Sequence, residues 1–225
     1  MSNFRTVITK QSPSFFIQHP DPIFCMGSCF AQHIGQRLMR LKFSVDLNPF
    51  GILYNPVSIG KALQMLIQGQ PYPPEALFEH QGLWHSFDHH SQFSHPNKSQ
   101  ALENINQGFH QASQNIAQSH YLLLTLGTAH VFTHHATSRI VANCHKLPAD
   151  QFSRRRLRVE EIVSALSAHL QSLQQRSPHL KVILSVSPIR HWRDGAVENQ
   201  RSKAALILAI AQLCEELPFV HYYPA

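Results

Sequence analysis

The chain has 225 residues, and 43% of them are hydrophobic, which suits one α/β domain with a substantial core over 1–225. No apolar run approaches the length of a membrane span, and the first ten residues are polar. The composition therefore predicts a cytoplasmic protein without a membrane partner. Four scattered cysteines are too few for a disulfide scaffold, which agrees with a reducing compartment.

The positive charge of the chain is concentrated in a few places. The formal net charge is +6, and much of the excess comes from Arg154, Arg155, Arg156 and Arg158. We interpret this run as the solvated start of a helix. No interleaved aromatic platform accompanies it, so the sequence predicts no nucleic-acid partner.

The first half of the chain begins with an irregular lead-in over 1–20. A strand is predicted at 22–27, a helix at 31–41 and a second strand at 43–47. Asn55 and Pro56 begin the next helix, which ends at Gly69. Residues 70–97, rich in proline, histidine and aromatics, show no regular pattern, and we expect this irregular loop to cover the functional site.

The second half alternates helices and strands. Helices are predicted at 99–118, 156–175 and 197–217, and strands at 121–126, 181–186 and 219–223. Residues 131–132 and 140–141 form a small hairpin arm. Strands that alternate with helices predict a parallel sheet with helices on both faces, an α/β fold of three layers.

The turn at Gly27 and Ser28 is the most informative stretch of the sequence. A short apolar strand stops at the glycine, presents the serine and enters a helix. A serine there lies at the carboxyl end of a strand, where α/β sheets bind ligands, and near helix N–H groups that stabilise negative charge. The residue is either a nucleophile or an ordinary N-cap.

Residues 27–31, Gly-Ser-Cys-Phe-Ala, spell the signature of the GSCFA domain family, which this chain resembles over nearly its whole length. Further matching stretches are 48–56, 84–88, 90–91, 126–128, 143–146, 187–191, 194–195 and 198–199. The family looks related to the SGNH/GDSL hydrolases. The resemblance implies a flavodoxin-like strand order, 2-1-3-4-5.

The resemblance also implies catalytic roles. Ser28 matches the SGNH nucleophile, and the N–H groups of Ser28 and Gly51 match the oxyanion hole. Thr128 stands where SGNH enzymes carry an asparagine, a departure that weakens the match to plain esterase chemistry. The usual Asp-x-x-His after the last strand is missing, so the chain looks carboxy-terminally short. His191 is the substitute base that we favour.

The matching stretches supply the predicted substrate contacts. Arg190 would bind an anionic group by a bidentate contact, and Asp194 or Glu198 would orient His191. Asp88 is a second orienting carboxylate. The full set of predicted substrate-binding residues is Asn48, Asn55, Trp84, His85, His90, Arg190 and Asp194.

Other chemistries have weaker support. His85 with His89, and His130 with His134, have the spacing of metal ligands on a helix, but neither pair lies in a convincing helix, so no metal is predicted. No cofactor motif is present. Cys29 is either an inert core thiol or an alternative nucleophile, and Cys144 beside His145 is a further alternative.

Together these features predict an SGNH-like serine hydrolase that acts on an ester or acyl group, with a small-molecule or saccharide-type acylated substrate. The alternative is a non-catalytic module on the same fold that binds a carbohydrate or a partner protein. Activation of Ser28 distinguishes the two.

Overall fold

The computed structural model describes residues 15–190 and 194–225, which form five α-helices and ten strands. Three short 3₁₀ turns, Pro74–Ala76, Ser91–Phe93 and Ala149–Gln151, connect some of them. In chain order the elements are β1 (Ile23–Gly27), α1 (Cys29–Arg40), β2 (Val45–Leu47), α2 (Pro56–Gln68), β3 (Leu77–His80), β4 (Leu83–Ser86), α3 (Lys98–Gln118), β5 (Tyr121–Leu126), β6 (His130–His134), β7 (Arg139–Val141), β8 (Phe152–Arg156), α4 (Val159–Arg176), β9 (Lys181–Val186), α5 (Gly195–Glu216) and β10 (Val220–Tyr222).

A five-stranded parallel sheet forms the centre of the fold. Its strands lie in the order β10-β9-β5-β1-β2. Numbered along the chain, these five strands have the order 2-1-3-4-5, so the predicted flavodoxin-like arrangement is confirmed. The topology puts the carboxyl ends of β1, β5 and β9 side by side, which is the edge where such sheets bind ligands.

The main core lies on one face of this sheet. Side chains of alternating strand residues, among them Phe24, Met26, Leu124 and Leu184, are fully buried there against α2, α3, α4 and α5. On the opposite face α1 packs against β1 and β2, where the Cys25 thiol donates to a carbonyl of α1. The result is a three-layer α/β fold.

Two sequence predictions of local structure were wrong. Residues 70–97 are not irregular throughout, because they contain the antiparallel hairpin β3–β4. Arg154, Arg155 and Arg156 do not begin a helix. They lie in β8, which pairs with β6, and α4 begins three residues later. The predicted hairpin arm is confirmed as β6–β7, with β8 as its third strand.

Each arginine of β8, which pairs with β6, has an acidic partner in the fold. Arg154 contacts Asp194 at 2.7 Å, Arg155 contacts Glu161 at 2.8 Å, and Arg156 contacts Glu198 at 3.6 Å. A charged run of this kind has no alternation of apolar and polar residues, so its pattern does not predict a strand.

Candidate functional site

Ser28 stands at the turn from β1 into α1, as predicted, but it is not an ordinary N-cap. It occupies the N-cap position with extended backbone dihedrals, yet its side chain makes no capping hydrogen bond. Its Oγ is buried and has no hydrogen-bond partner among the described residues. Buried hydroxyls normally find a partner, so this one requires an explanation.

The backbone around Ser28 is fixed by a glycine and an asparagine. Gly27 has a φ of 135°, and a Cβ on it would collide with the backbone of Thr125 in β5, so only glycine fits. The Gly27 N–H donates to Asn48 Oδ1 at 2.9 Å. Asn48, predicted to bind substrate, therefore holds the turn that presents Ser28.

A roof formed by residues 50–55 crosses the carboxyl ends of β1 and β5. Leu53 N–H donates to the Gly27 carbonyl at 2.9 Å, and the Tyr54 carbonyl accepts from Gly127 N–H at 2.8 Å. The Tyr54 ring and the Ser28 side chain lie against the same side of Gly127. Ser28 is 1% exposed, so neighbouring residues must move before a substrate can reach the Oγ.

The two predicted oxyanion donors are already engaged. Ser28 N–H donates to the Thr125 carbonyl at 3.0 Å, and Gly51 N–H donates to the Asn48 carbonyl at 2.7 Å. Other donors are close by, since the first N–H groups of α1 have no partner within the helix. The helix dipole adds a partial positive charge at the same point.

Lys203 of α5 reaches this edge of the sheet, a position that no sequence pattern predicts. Its Nζ donates to the carbonyls of Gly127 and Ser187, each at 2.7 Å. Burial lowers the pKa of Lys203 to about 8, while the Cys29 thiolate opposes this shift. The Lys203 amine thus lies where β1, β5 and β9 end.

Thr128 belongs to a hydrogen-bonded group beside Lys203. Its Oγ1 lies 3.2 Å from Ser202 Oγ and 3.4 Å from His130 Nδ1. His130 Nδ1 is 3.7 Å from an oxygen of Asp194. Burial lowers the pKa of His130, and the charge of Arg154 acts in the same direction. Asp194 therefore faces a histidine, but that histidine is His130.

His191, the base that the sequence favoured, lies outside the described residues. Arg190 is exposed after β9 and makes a contact within the fold. The role of both residues stays a prediction.

The remaining predicted substrate contacts serve the packing of the fold. Asn55 caps α2 by accepting from Ser58 N–H at 2.8 Å. Trp84 lies under the Lys98 ammonium, and His85 is bonded to Ser94 Oγ at 2.6 Å. His90 packs its Cβ against Gly51 and donates its N–H to the Phe50 carbonyl, so it touches the roof, of which Asn55 is itself the last residue.

Asp88, predicted to orient a histidine, is the hub of a buried polar network. Lys61 Nζ contacts one oxygen at 2.5 Å, while the Tyr72 hydroxyl donates to the other at 3.0 Å and Arg139 contacts it at 3.1 Å. Ser86 Oγ links Tyr72 to His89 Nδ1, at 2.7 and 2.8 Å. This network fixes the 70–97 segment to α2 and β7.

A groove of about 740 Å³ lies elsewhere, between α1 and α3 beside the edge strand β2. Its lining includes Gln36, Gln111 and Asn115, whose amide donates to Asp46 at 2.9 Å. Burial raises the pKa of Asp46. The groove contains none of the predicted site residues, so it is separate from the Ser28 site.

The described residues contain neither a group of metal ligands nor a membrane-spanning helix. Within residues 15–190 and 194–225, no three His, Cys, Asp or Glu side chains are grouped so that they could hold a metal ion. No helix in that part of the chain combines the length and the apolar composition needed to cross a bilayer.

The fold and the turn define the class of protein: a flavodoxin-like α/β domain with a serine between its first strand and first helix. The sequence model of the GSCFA family matches residues 22–225. The chain belongs to the GSCFA family, which confirms the recognition from residues 27–31. No curated protein and no solved structure matches it.

Proposed function

We propose that this protein is an SGNH-like serine hydrolase that cleaves an ester or acyl bond with Ser28 as its nucleophile. The observation that carries the proposal is the Ser28 hydroxyl, which stands at the N-cap position yet caps nothing and is buried without a partner in the described chain. A nucleophile must keep its oxygen free of competing hydrogen bonds until substrate and base arrive.

The charge of the transition state would be stabilised mainly by backbone N–H groups. In attack on an acyl carbon, the carbonyl oxygen becomes negative and needs fixed donors at about 3 Å. The first turn of α1 supplies N–H groups and the positive end of its dipole. Movement of the 50–55 roof away from Asn48 would release the Gly51 N–H as a second source, since its acceptor, the Asn48 carbonyl, lies outside the roof.

The substrate class follows from the surroundings of the site. The carboxyl edge presents hydroxyl, amine and amide groups together with the Tyr54 ring, a mixture that suits a polar acylated molecule, such as an acylated saccharide. Aromatic faces and fixed polar groups are the usual means of orienting such ligands in a pocket.

A non-catalytic binding module on the same fold is the second candidate. Engagement of both the Ser28 and the Gly51 N–H groups favours it, because a working oxyanion hole needs open donors. The two candidates differ in whether Ser28 reacts.

Labelling with a fluorophosphonate probe, followed by peptide mapping, tests the proposal. We expect an adduct on Ser28 that Ser28→Ala abolishes and that Ser164→Ala, at an exposed position of α4, leaves intact. An adduct on Cys29 would instead assign the thiol as nucleophile. A folded protein that takes up no probe at any site would support the binding module.

A further inference from the structure

Lys203 is placed to interact with Ser28 through a shared neighbour, Gly127. Lys203 Nζ donates to the Gly127 carbonyl at 2.7 Å. The Ser28 Cβ lies 3.3 Å from the point that a Cβ on Gly127 would occupy. Cys29, which follows Ser28, is close enough for its charge to act on the amine. The amine of Lys203 and the side chain of Ser28 therefore both contact Gly127.

The two hydrogen bonds of Lys203 can be made by its neutral amine. A neutral amine has two N–H donors and one lone pair, and the carbonyls of Gly127 and Ser187 accept two bonds. Those bonds leave the lone pair as a proton acceptor. Among the described residues, no carboxylate forms an ion pair with Lys203 that would hold it in the charged form.

We propose that Lys203 is the general base of the Ser28 site, an inference that rests on the proposed hydrolase function. As Ser28 Oγ attacks the acyl carbon, its proton passes to Nζ. The ammonium then gives this proton to the leaving alkoxide while the carbon–oxygen bond breaks, and an acyl-serine remains. Water attacks the acyl-serine and passes a proton to Nζ, which returns it to Oγ as the acid departs.

The protonation state of Lys203 agrees with this role. Burial lowers its pKa to about 8, so at pH 7 roughly one amine in ten is neutral and a base is present. Of the titratable groups nearby, Cys29 of α1 faces the amine, and Tyr54 in turn lies close to Cys29. Ser28 Oγ and Nζ are not yet hydrogen-bonded, which is common before substrate closes a site.

The alternative role of Lys203 is purely structural, since its two bonds connect the ends of β5 and β9. Lys203→Arg separates the roles. Arginine keeps the positive charge and can donate to both carbonyls, but it does not lose a proton in proteins and cannot act as a base. A structural role would therefore survive this substitution, while a base role would not.

The experiment measures the rate of fluorophosphonate labelling of Ser28 from pH 6 to pH 10, in the full chain and in Lys203→Arg. We expect the wild-type rate to rise with pH to a plateau with a midpoint near 8, as Lys203 loses its proton. Labelling of Lys203→Arg should be at least about 100-fold slower, since a general base usually contributes a factor of this size. Its rate should also lack the rise centred near pH 8. Circular dichroism and thermal melting confirm that the variant is folded.

Three results would overturn the inference. Labelling of Lys203→Arg at the wild-type rate would reduce Lys203 to a positioning residue and leave the hydrolase proposal intact. If Lys203→Arg does not fold, the pH dependence of labelling in the wild type tests the inference. A midpoint of that dependence near pH 6.5 would assign a histidine as the base. A folded wild-type protein without any labelling would remove both proposals together.

Discussion

His145 makes a prediction about stability that follows directly from its burial. Its Nε2–H donates to the Ser86 carbonyl at 2.7 Å, and its Nδ1 is buried with no hydrogen-bond partner in the described chain. A second proton would place a charge on this buried ring, and the cost of burial outweighs the backbone hydrogen bonds to Ser86 and His89 that favour the charged form. Burial lowers the pKa of His145 to about 4, and the charges of His85 and His90 act in the same direction.

The sign of the pH effect follows from proton counting. The unfolded chain protonates this ring near pH 6.5, whereas the folded protein does so only near pH 4, so the unfolded state binds more protons between these values. The free energy of unfolding is therefore highest above about pH 6.5 and falls as the pH drops towards 4. The slope is about 1.4 kcal/mol per pH unit, or about 2 kcal/mol between pH 7 and pH 5.

Urea unfolding at pH 7, 6 and 5 measures this effect in the wild type and in His145→Gln. Glutamine can still donate to the Ser86 carbonyl but does not titrate, and any constant cost of the substitution cancels in the slope. His89, whose pKa burial lowers to about 3, titrates in both proteins, and the charge of His145 is the smallest of the causes given for its shift. We expect the free energy of unfolding of the variant to fall by about 2 kcal/mol less between pH 7 and pH 5, an average difference of about 1 kcal/mol per pH unit. Equal slopes would show that His145 titrates normally in the fold and would refute the argument from burial.

Three further predictions concern the turn, the polar network and the roof. Gly27→Ala should destabilise the fold by on the order of 3–5 kcal/mol because its Cβ meets backbone, whereas Gly82→Ala, with open space around it, should cost about 1 kcal/mol; thermal melts compare them, and equal shifts would contradict the clash. Asp88→Asn should lower the free energy of unfolding in urea by about 2–3 kcal/mol, because it leaves Lys61 and Arg139, which are partly exposed, without their buried partner. A change below about 0.5 kcal/mol, the level of a surface substitution, would show that the network contributes little to stability. Tyr54→Ala should increase the rate at which probes label Ser28, and the increase should be largest for bulky probes. An increase that does not depend on probe size would mean that the roof does not limit access to Ser28.

The sequence by itself determined the central sheet, the family and the position of the serine that we propose as nucleophile. Strands such as Tyr121–Leu126 and Lys181–Val186 were predicted with the boundaries that the structure has, because a buried parallel strand is a continuous apolar run that ends at a sharp signal. The turn at Gly27 and Ser28 was equally clear, since only glycine tolerates the backbone that the turn requires.

The tertiary structure alone decided which groups surround Ser28. Lys203 lies 175 positions away in sequence, in the middle of an ordinary helix, and it reaches the site only because parallel strands bring their carboxyl ends to one edge. Asp194 was predicted to orient His191, yet among the described residues the histidine beside it is His130. The sequence predicts Arg154 as part of a helix start because its acidic partner, Asp194, comes from a distant segment. Local patterns report the period of an element and the geometry of a turn, but not the charges and carbonyls that folding places opposite each side chain.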